Sequence, residues 1–277
     1  MTLTFIPVDK DVRLEVLDWG GSGNPIILLA GAGNTAHVFD EFAPKLTANH
    51  HVYGITRRGF GSSGFAASGN GSDRLRDDVL AVMDALKLDR PVLVGHSIAG
   101  AELSSIATSY PDRVAGLVYL EAAYPYAFDN GTGPTNQQFQ DVQNIKGLQP
   151  PTPVDSDLVS FSALQKWDAE VRGFRIPEAE FHQTWESGPD GRPVKPRQFQ
   201  GWQMLGTILA GKQYSRIPVP ALAIFAIPHI PENWMSKSTN PAVQEAITAI
   251  GHLRDKQAKV FESGVPTARV ISLRGTH

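Results

Sequence analysis

Cysteine is absent from all 277 residues, which removes disulfide staples, thiol nucleophiles and thiolate-held metals together. Basic runs are missing as well, and the formal net charge is −3. Nucleic acid and anionic membrane surfaces are therefore poor partners for this chain. Long apolar runs are equally scarce. The longest, near residues 217–228, is broken by proline and too short to span a bilayer. Residues 1–8 lack the basic start and long apolar middle of a signal peptide. That is expected both of a cytoplasmic protein and of an exported one whose leader has been removed, so the compartment stays open. There is no His-Glu-x-x-His, no acidic cluster with ligand spacing, and no Gly-x-Gly-x-x-Gly opening a helix after a strand. Neither a metal nor an organic cofactor is expected. Gly59-Phe60-Gly61-Ser62-Ser63-Gly64 is glycine-rich but lacks the Gly-Lys-Ser/Thr end of a phosphate loop.

What is present is apolar material in short, punctuated runs. At 42% hydrophobic content the chain can bury a large core. Val12, Leu14 and Val16 alternate with polar residues, the period of a half-exposed strand. Residues 25–29, 51–56, 91–94 and 115–120 read as strands buried on both faces. Between them Leu75, Val79, Val82, Met83 and Leu86 repeat at helical spacing, with Ser72 or Asp73 as a capping residue. A second helix is expected over residues 98–110, stopped by Pro111. Such alternation implies an α/β fold, a mostly parallel central sheet flanked by helices.

The alternation pauses over residues 126–216, which hold helical patches, Pro/Gly breaks and Trp167, Trp185 and Trp202. It resumes with a strand over 221–226, a long helix over 242–261 and a last strand over 268–273. The expected organisation is therefore a core of residues 1–125 and 217–277 with a helical cap inserted over 126–216. The three tryptophans are either cap core or the wall of a substrate pocket, which is expected to be mainly apolar. No repeat or low-complexity tract interrupts the pattern, and the oligomeric state is not legible.

One serine stands out. Ser97 lies in Val92-Leu93-Val94-Gly95-His96-Ser97-Ile98-Ala99-Gly100, the sequence form of a strand-turn-helix elbow that lifts a hydroxyl out of the sheet end. A turn so sharp drives the serine to positive φ, and strand and helix come so close that positions 95, 99 and 100 must stay small. Ala99 replaces the last glycine of G-x-S-x-G, so one methyl must be accommodated. A serine hydroxyl needs an adjacent base that is oriented by an acid, and amide donors where negative charge develops. Ala30-Gly31-Ala32-Gly33-Asn34, a run of small residues expected to enter a helix, suggests Ala32 N–H as one donor. The residue after the serine, Ile98, supplies the other.

Among eight histidines, His277 follows the last strand through a short loop at the sheet's carboxyl edge, where open α/β sheets place their sites. It is the expected base. His96 is expected to support the elbow, and His37, His50, His51, His182, His229 and His252 to be mostly solvated. The acid is Glu121, directly after a buried strand, with Glu232 as its competitor; the favoured residue is Glu121, because a charge at that place must find a partner.

Taken together these residues resemble the α/β-hydrolase fold, in its capped serine-esterase branch. The resemblance rests on Leu29-Ala30-Gly31 for the oxyanion strand, Arg58-Gly59-Phe60-Gly61-Ser62-Ser63 for the family's Arg-Gly-x-Gly-x-Ser loop, Gly95 to Gly100 for the elbow and Gly275-Thr276-His277 for the histidine loop. Three departures stand out. Ala30-Gly31 replaces the usual His-Gly, the usual aspartate after the penultimate strand falls near His229, and such chains normally continue past the histidine with a helix. Leu120-Glu121-Ala122-Ala123 is similar to the variant that takes its acid from the earlier strand. The stop at His277 predicts a longer natural polypeptide, with an intact mass above 30.0 kDa. What the resemblance implies is hydrolysis of a small to medium carboxylic ester through Ser97, His277 and Glu121. Carbon–carbon bond hydrolysis, lactonase or haloperoxidase-like chemistry, or a non-catalytic binding protein, are the alternatives.

Overall fold

Short Val/Ile/Leu-rich runs between turn residues form strands here because their side chains bury on both faces of a sheet. The computed structural model describes every residue except 67, 71, 145–147, 210 and 212, together with the side chain of Ser72. The strands are β1 (Thr2–Asp9), β2 (Val12–Gly20), β3 (Pro25–Leu29), β4 (His51–Ile55), β5 (Val92–His96) and β6 (Gly116–Leu120), then β9 (Ala221–His229) and β10 (Ala268–Gly275). They make one eight-stranded sheet in the order β1-β2-β4-β3-β5-β6-β9-β10. Only the β1/β2 and β2/β4 pairings are antiparallel; the other five are parallel. Alternation within the strands splits the core in two. Ile27, Leu29 and Leu93 enter the larger apolar cluster, which also takes Val79 and Met83 from helix α1 (Ser72–Ala85), Leu103 and Ile106 from α2 (Ala99–Ser109) and Phe261 from the long C-terminal helix. Ile26, Leu28 and Val94 face the opposite side with Phe39 and Ala43.

The connection from β3 to β4 departs from expectation. Instead of a helix it forms two 3₁₀ turns, Ala36–Phe39 and Ala43–Lys45. Pro44 sits inside the second and has no N–H for an i→i−4 ladder, so the segment closes on i→i+3 bonds such as Leu46 N to Ala43 O at 3.0 Å. The residue preceding α1, at position 71, lies outside the described residues.

Between β6 and β9 the described residues add no strand to the main sheet. They form α3 (Asn136–Gln143), α4 (Phe161–Arg172), α5 (Glu178–Thr184) and α6 (Trp202–Leu209). They are not purely helical: β7 (Trp185–Ser187) and β8 (Pro193–Pro196) pair as a small antiparallel ribbon. Glu180 fastens this segment to the loop after β3. Its buried carboxylate accepts from Thr35 N at 2.9 Å, from the Thr35 hydroxyl and from Asn34 Nδ2 at 3.0 Å. A short α7 (Asn233–Ser236) precedes α8 (Pro241–Gly264). Among the described residues no helix is long and apolar enough to cross a membrane.

Candidate active site

The elbow follows from the small residues around it. Ser97 has φ of +52°, a conformation that costs a non-glycine residue energy and persists only where neighbours hold it. Ser97 N donates to Leu120 O at 3.1 Å, and Gly100 N donates to Ser97 O at 2.9 Å as α2 begins. A Cβ on Gly100 would stand 2.0 Å from the Ala122 carbonyl oxygen, so that glycine is required by the chain leaving β6 rather than by its own backbone. The Ala99 methyl fits because Gly95 leaves room: a Cβ there would meet it at 3.1 Å.

Glu121 leaves β6 in a second strained turn, with φ of +46°, and its N–H donates to Ile224 O at 2.9 Å. The turn aims the carboxylate at the end of β10. His277 stands there, beyond a loop pinned by Ile230 N donating to Gly275 O at 2.7 Å. His277 Nδ1 is 3.2 Å from Glu121 Oε2, and His277 Nε2 is 2.9 Å from Ser97 Oγ. A proton on Nδ1 lets it donate to the carboxylate and leaves Nε2 to accept from the serine hydroxyl. Tyr124 O–H also donates to Oε2, at 2.7 Å, and Ala226 N donates to Oε1. Burial alone would raise the Glu121 carboxyl. The hydrogen bond with His277, the charges of Arg254 and His277 and the Ala226 amide outweigh it and bring the group down to about 2. Glu232 lies elsewhere, held by Arg172 Nη1 at 3.0 Å and the Trp234 indole at 2.7 Å.

The glycine-rich loop after β3 is clamped from beneath. Arg57 reaches Ala30 O at 2.9 Å and Gly31 O at 3.4 Å, and pairs with Glu102 of α2 at 2.7 and 3.0 Å. A single guanidinium thus ties the loop to the elbow helix. Among the described residues neither Ala32 N–H nor Ile98 N–H donates to another group of the chain. His96, half-buried at the end of β5, lies against this loop, where a Cβ on Gly31 would stand 2.7 Å from its Nδ1. Desolvation first, and then the neighbouring His277, lowers His96 to about 3, so it stays neutral. His37 and His229 are not solvated as expected. His37 is buried beside Asp40, and His229, at the end of β9, contacts Arg254.

A cavity of about 120 Å³ opens on Ser97 and His277. Its wall is more apolar than polar, with Pro125, Phe139, Leu209 and Ile250, but Tyr124, Tyr126, Asn136, Gln140 and Arg254 contribute polar groups that the sequence reading did not name. Tyr126 directs its hydroxyl at Ser97. All three tryptophans lie outside the described lining of this cavity. Trp167 and Trp185 pack on Phe161, Leu164 and Phe181 between α4 and α5, where their large apolar faces find a core of their own. Trp202 packs edge-on to Phe60, 5.6 Å between centroids, and lies over Gly33 of the glycine-rich loop. Tyr124, Tyr126 and Arg254 escaped the sequence reading; the tyrosines had one signal, their place in the loop leaving β6. Among the described residues no cluster of three His, Asp or Glu side chains is suited to a metal.

Chemically, the arrangement can pass a proton from a hydroxyl to an imidazole backed by a carboxylate. Comparisons with known proteins agree in kind. A family model described as alpha/beta hydrolase fold matches residues 24–163, half of the chain. The chain is 30% identical over 190 residues to a pyrethroid hydrolase of Sphingobium wenxiniae, covering 61% of this chain and 63% of that one. It is 32% identical over 146 residues to a bifunctional esterase/perhydrolase of Acinetobacter calcoaceticus, covering 50% and 53%. Matches to the curated relatives span from 33% to 63% of their length. The crystal structure of E-2-(acetamidomethylene)succinate hydrolase superposes with a TM-score of 0.62 at 18% identity, over 99% of this chain and 91% of that one. At that identity the likeness speaks for the fold alone. Kinship rests on the sequence match, and by it the chain belongs to the α/β-hydrolase fold family.

Proposed function

We propose that the protein is a serine hydrolase that cleaves carboxylic esters through an acyl-enzyme on Ser97. The observation that carries this reading is the pair of contacts through one imidazole, 2.9 Å to Ser97 Oγ and 3.2 Å to Glu121 Oε2. Ser97 Oγ attacks the ester carbonyl while His277 Nε2 takes its proton. Glu121, lowered to about 2 and so a carboxylate at neutral pH, stabilises the imidazolium so formed. Negative charge gathers on the former carbonyl oxygen and is met by the amides of Ala32 and Ile98, each on the order of 3 kcal/mol in the barrier. Collapse expels the alcohol, protonated by His277. Water then repeats the sequence, attacking the acyl carbon as His277 takes its proton and returns it to Ser97. Residues 126–216 act as the cap over a core of 1–125 and 217–277, and Trp202 overhangs the oxyanion loop. No cofactor enters any step. Relatives named as a pyrethroid hydrolase and an esterase/perhydrolase favour a carboxylic ester as the bond broken.

The test uses short- and medium-chain nitrophenyl esters and a serine-directed phosphonate, on the parent and on Ser97→Ala. Turnover with a phosphonate adduct at Ser97, both lost in Ser97→Ala, is the expected result. An adduct without ester turnover would redirect the serine to another acyl chemistry, such as carbon–carbon bond or lactone cleavage. Neither adduct nor turnover would overturn the enzyme reading in favour of a ligand-binding protein.

A further inference from the structure

Arg254, on α8, is the one guanidinium in the described wall of the Ser97 cavity, and its side chain is only 9% exposed. A guanidinium carries five N–H donors, yet this one makes a single hydrogen bond among the described residues, from Nη1 to His229 Nδ1. Burial first, and then the Arg254 charge, brings His229 down to about 4, so it accepts as a neutral imidazole and adds no counter-charge; the nearest carboxylate is Glu121. Arg254 Nε is buried without an acceptor. Glu121 Oε2 is 3.6 Å from it, beyond a hydrogen bond, and that carboxylate is already committed. Its Oε1 takes the Ala226 amide, and its Oε2 takes Tyr124 and His277. Among the described residues no aspartate or glutamate lines the cavity itself. The result is a desolvated cation with spare donors beside the reacting serine, in a wall that otherwise offers neutral groups such as Tyr126, Asn136 and Gln140.

Buried donors left without an acceptor are costly, and a planar fork of donors matches a carboxylate in two-point fashion. We propose that Arg254 holds an anionic group of the substrate, so that the ester cleaved at Ser97 carries a second, free carboxylate. This deepens the serine-hydrolase reading and rests on it. A neutral ester of the same shape leaves those donors unfilled, which is how a site built for a charged group rejects an uncharged one.

The probes are monomethyl glutarate and dimethyl glutarate, alike except for one charge. Calorimetric titration into Ser97→Ala measures binding without turnover, and the same titration is run on Ser97→Ala with Arg254→Gln or Arg254→Lys. The monoanion should bind at least about tenfold more tightly than the diester. Arg254→Gln should erase the contrast and Arg254→Lys keep part of it. Equal binding of the two probes to Ser97→Ala overturns the proposal whether or not the arginine variants fold, and so does a preference that survives Arg254→Gln. Hydrolysis of both probes by the parent is followed alongside. An Arg254→Gln loss in kcat shared equally by both probes, with KM unchanged, would make Arg254 only a positioning residue for Glu121 and overturn it too. Hydrolysis and a Ser97 adduct without anion preference would refute the anion site alone. Anion preference in Ser97→Ala with neither hydrolysis nor adduct in the parent would uphold the site and refute the hydrolase.

Discussion

Removing the charge of Glu102 should cost the protein both stability and activity, and the two losses can be separated. Arg57 and Glu102 are each 5% exposed and meet in a two-point pair at 2.7 and 3.0 Å. Solvent therefore screens little of what happens there. Glu102→Gln leaves a buried guanidinium without its counter-charge, a loss of about 3–5 kcal/mol. At roughly 2–4 °C per kcal/mol for large domains, the melting temperature should fall on the order of 10 °C. Replacing both partners with apolar residues of similar volume, Arg57→Met with Glu102→Leu, removes the uncompensated charge and should restore most of that stability. It cannot restore the clamp. Ala30 O and Gly31 O lose the guanidinium that fixes the glycine-rich loop after β3, and misplacing a reacting group by about 1 Å costs on the order of 10²-fold in rate. Calorimetric melting and nitrophenyl ester kinetics on the three variants read the two effects apart. A double variant with parental melting and parental kcat would refute the idea that this pair positions the loop. A Glu102→Gln protein as stable as the parent would refute the energetic argument itself.

Glu121→Gln should lower kcat by about 10³–10⁴-fold, because the imidazolium loses its counter-charge and its orientation. The same variant has a pH signature. A carboxyl brought from 4.5 down to about 2 contributes stability in full above pH 4.5 and loses it as pH falls toward 2. The stability gap between parent and Glu121→Gln, followed by circular dichroism melting, should therefore close over that window. A gap constant from pH 6 to pH 2 would contradict it. Two glycines on helices should respond oppositely to alanine. Gly100→Ala drives a methyl into the Ala122 carbonyl and should cost about 1–3 kcal/mol or more. Gly251→Ala, on α8 with nothing within 4 Å of the new Cβ, should gain about 0.5–1 kcal/mol. Urea unfolding of both checks the pair, and equal effects would mean that the close approach of α2 to the chain leaving β6 is not what excludes a side chain at position 100.

Legibility in this chain followed how locally each feature is encoded. The elbow could be read directly, because closeness between β5, α2 and β6 demands small side chains at 95, 99 and 100 and those residues are adjacent in sequence. Glu121 could be read as a charge placed where a buried strand ends. The rejected alternative, Glu232, obeys the same rule but finds its partner in Arg172, a choice that only tertiary packing makes. The helix expected after β3 failed through Pro44, a breaker inside a segment too short to absorb it. The cavity wall was harder, since its residues come from the loop after β6, from α3 and from α8, and bulk apolarity pointed to Trp167 and Trp185, which pack on each other's neighbours instead.

Arg254 nevertheless left a trace that a closer reading of periodicity would catch. Val243, Ala246, Arg254, Gln257 and Phe261 are buried at the i, i+3, i+4 spacing of one face of α8, so two polar residues interrupt an otherwise apolar stripe. Gln257 explains itself, its amide donating to Ala123 O at 3.0 Å and Phe128 O at 2.9 Å; it ties down the chain leaving β6. Arg254 occupies the same stripe one turn earlier, and its donors are largely unspent. A polar residue on a buried stripe is either satisfied by backbone or reserved for something that arrives later, and the difference between these two neighbours is that difference.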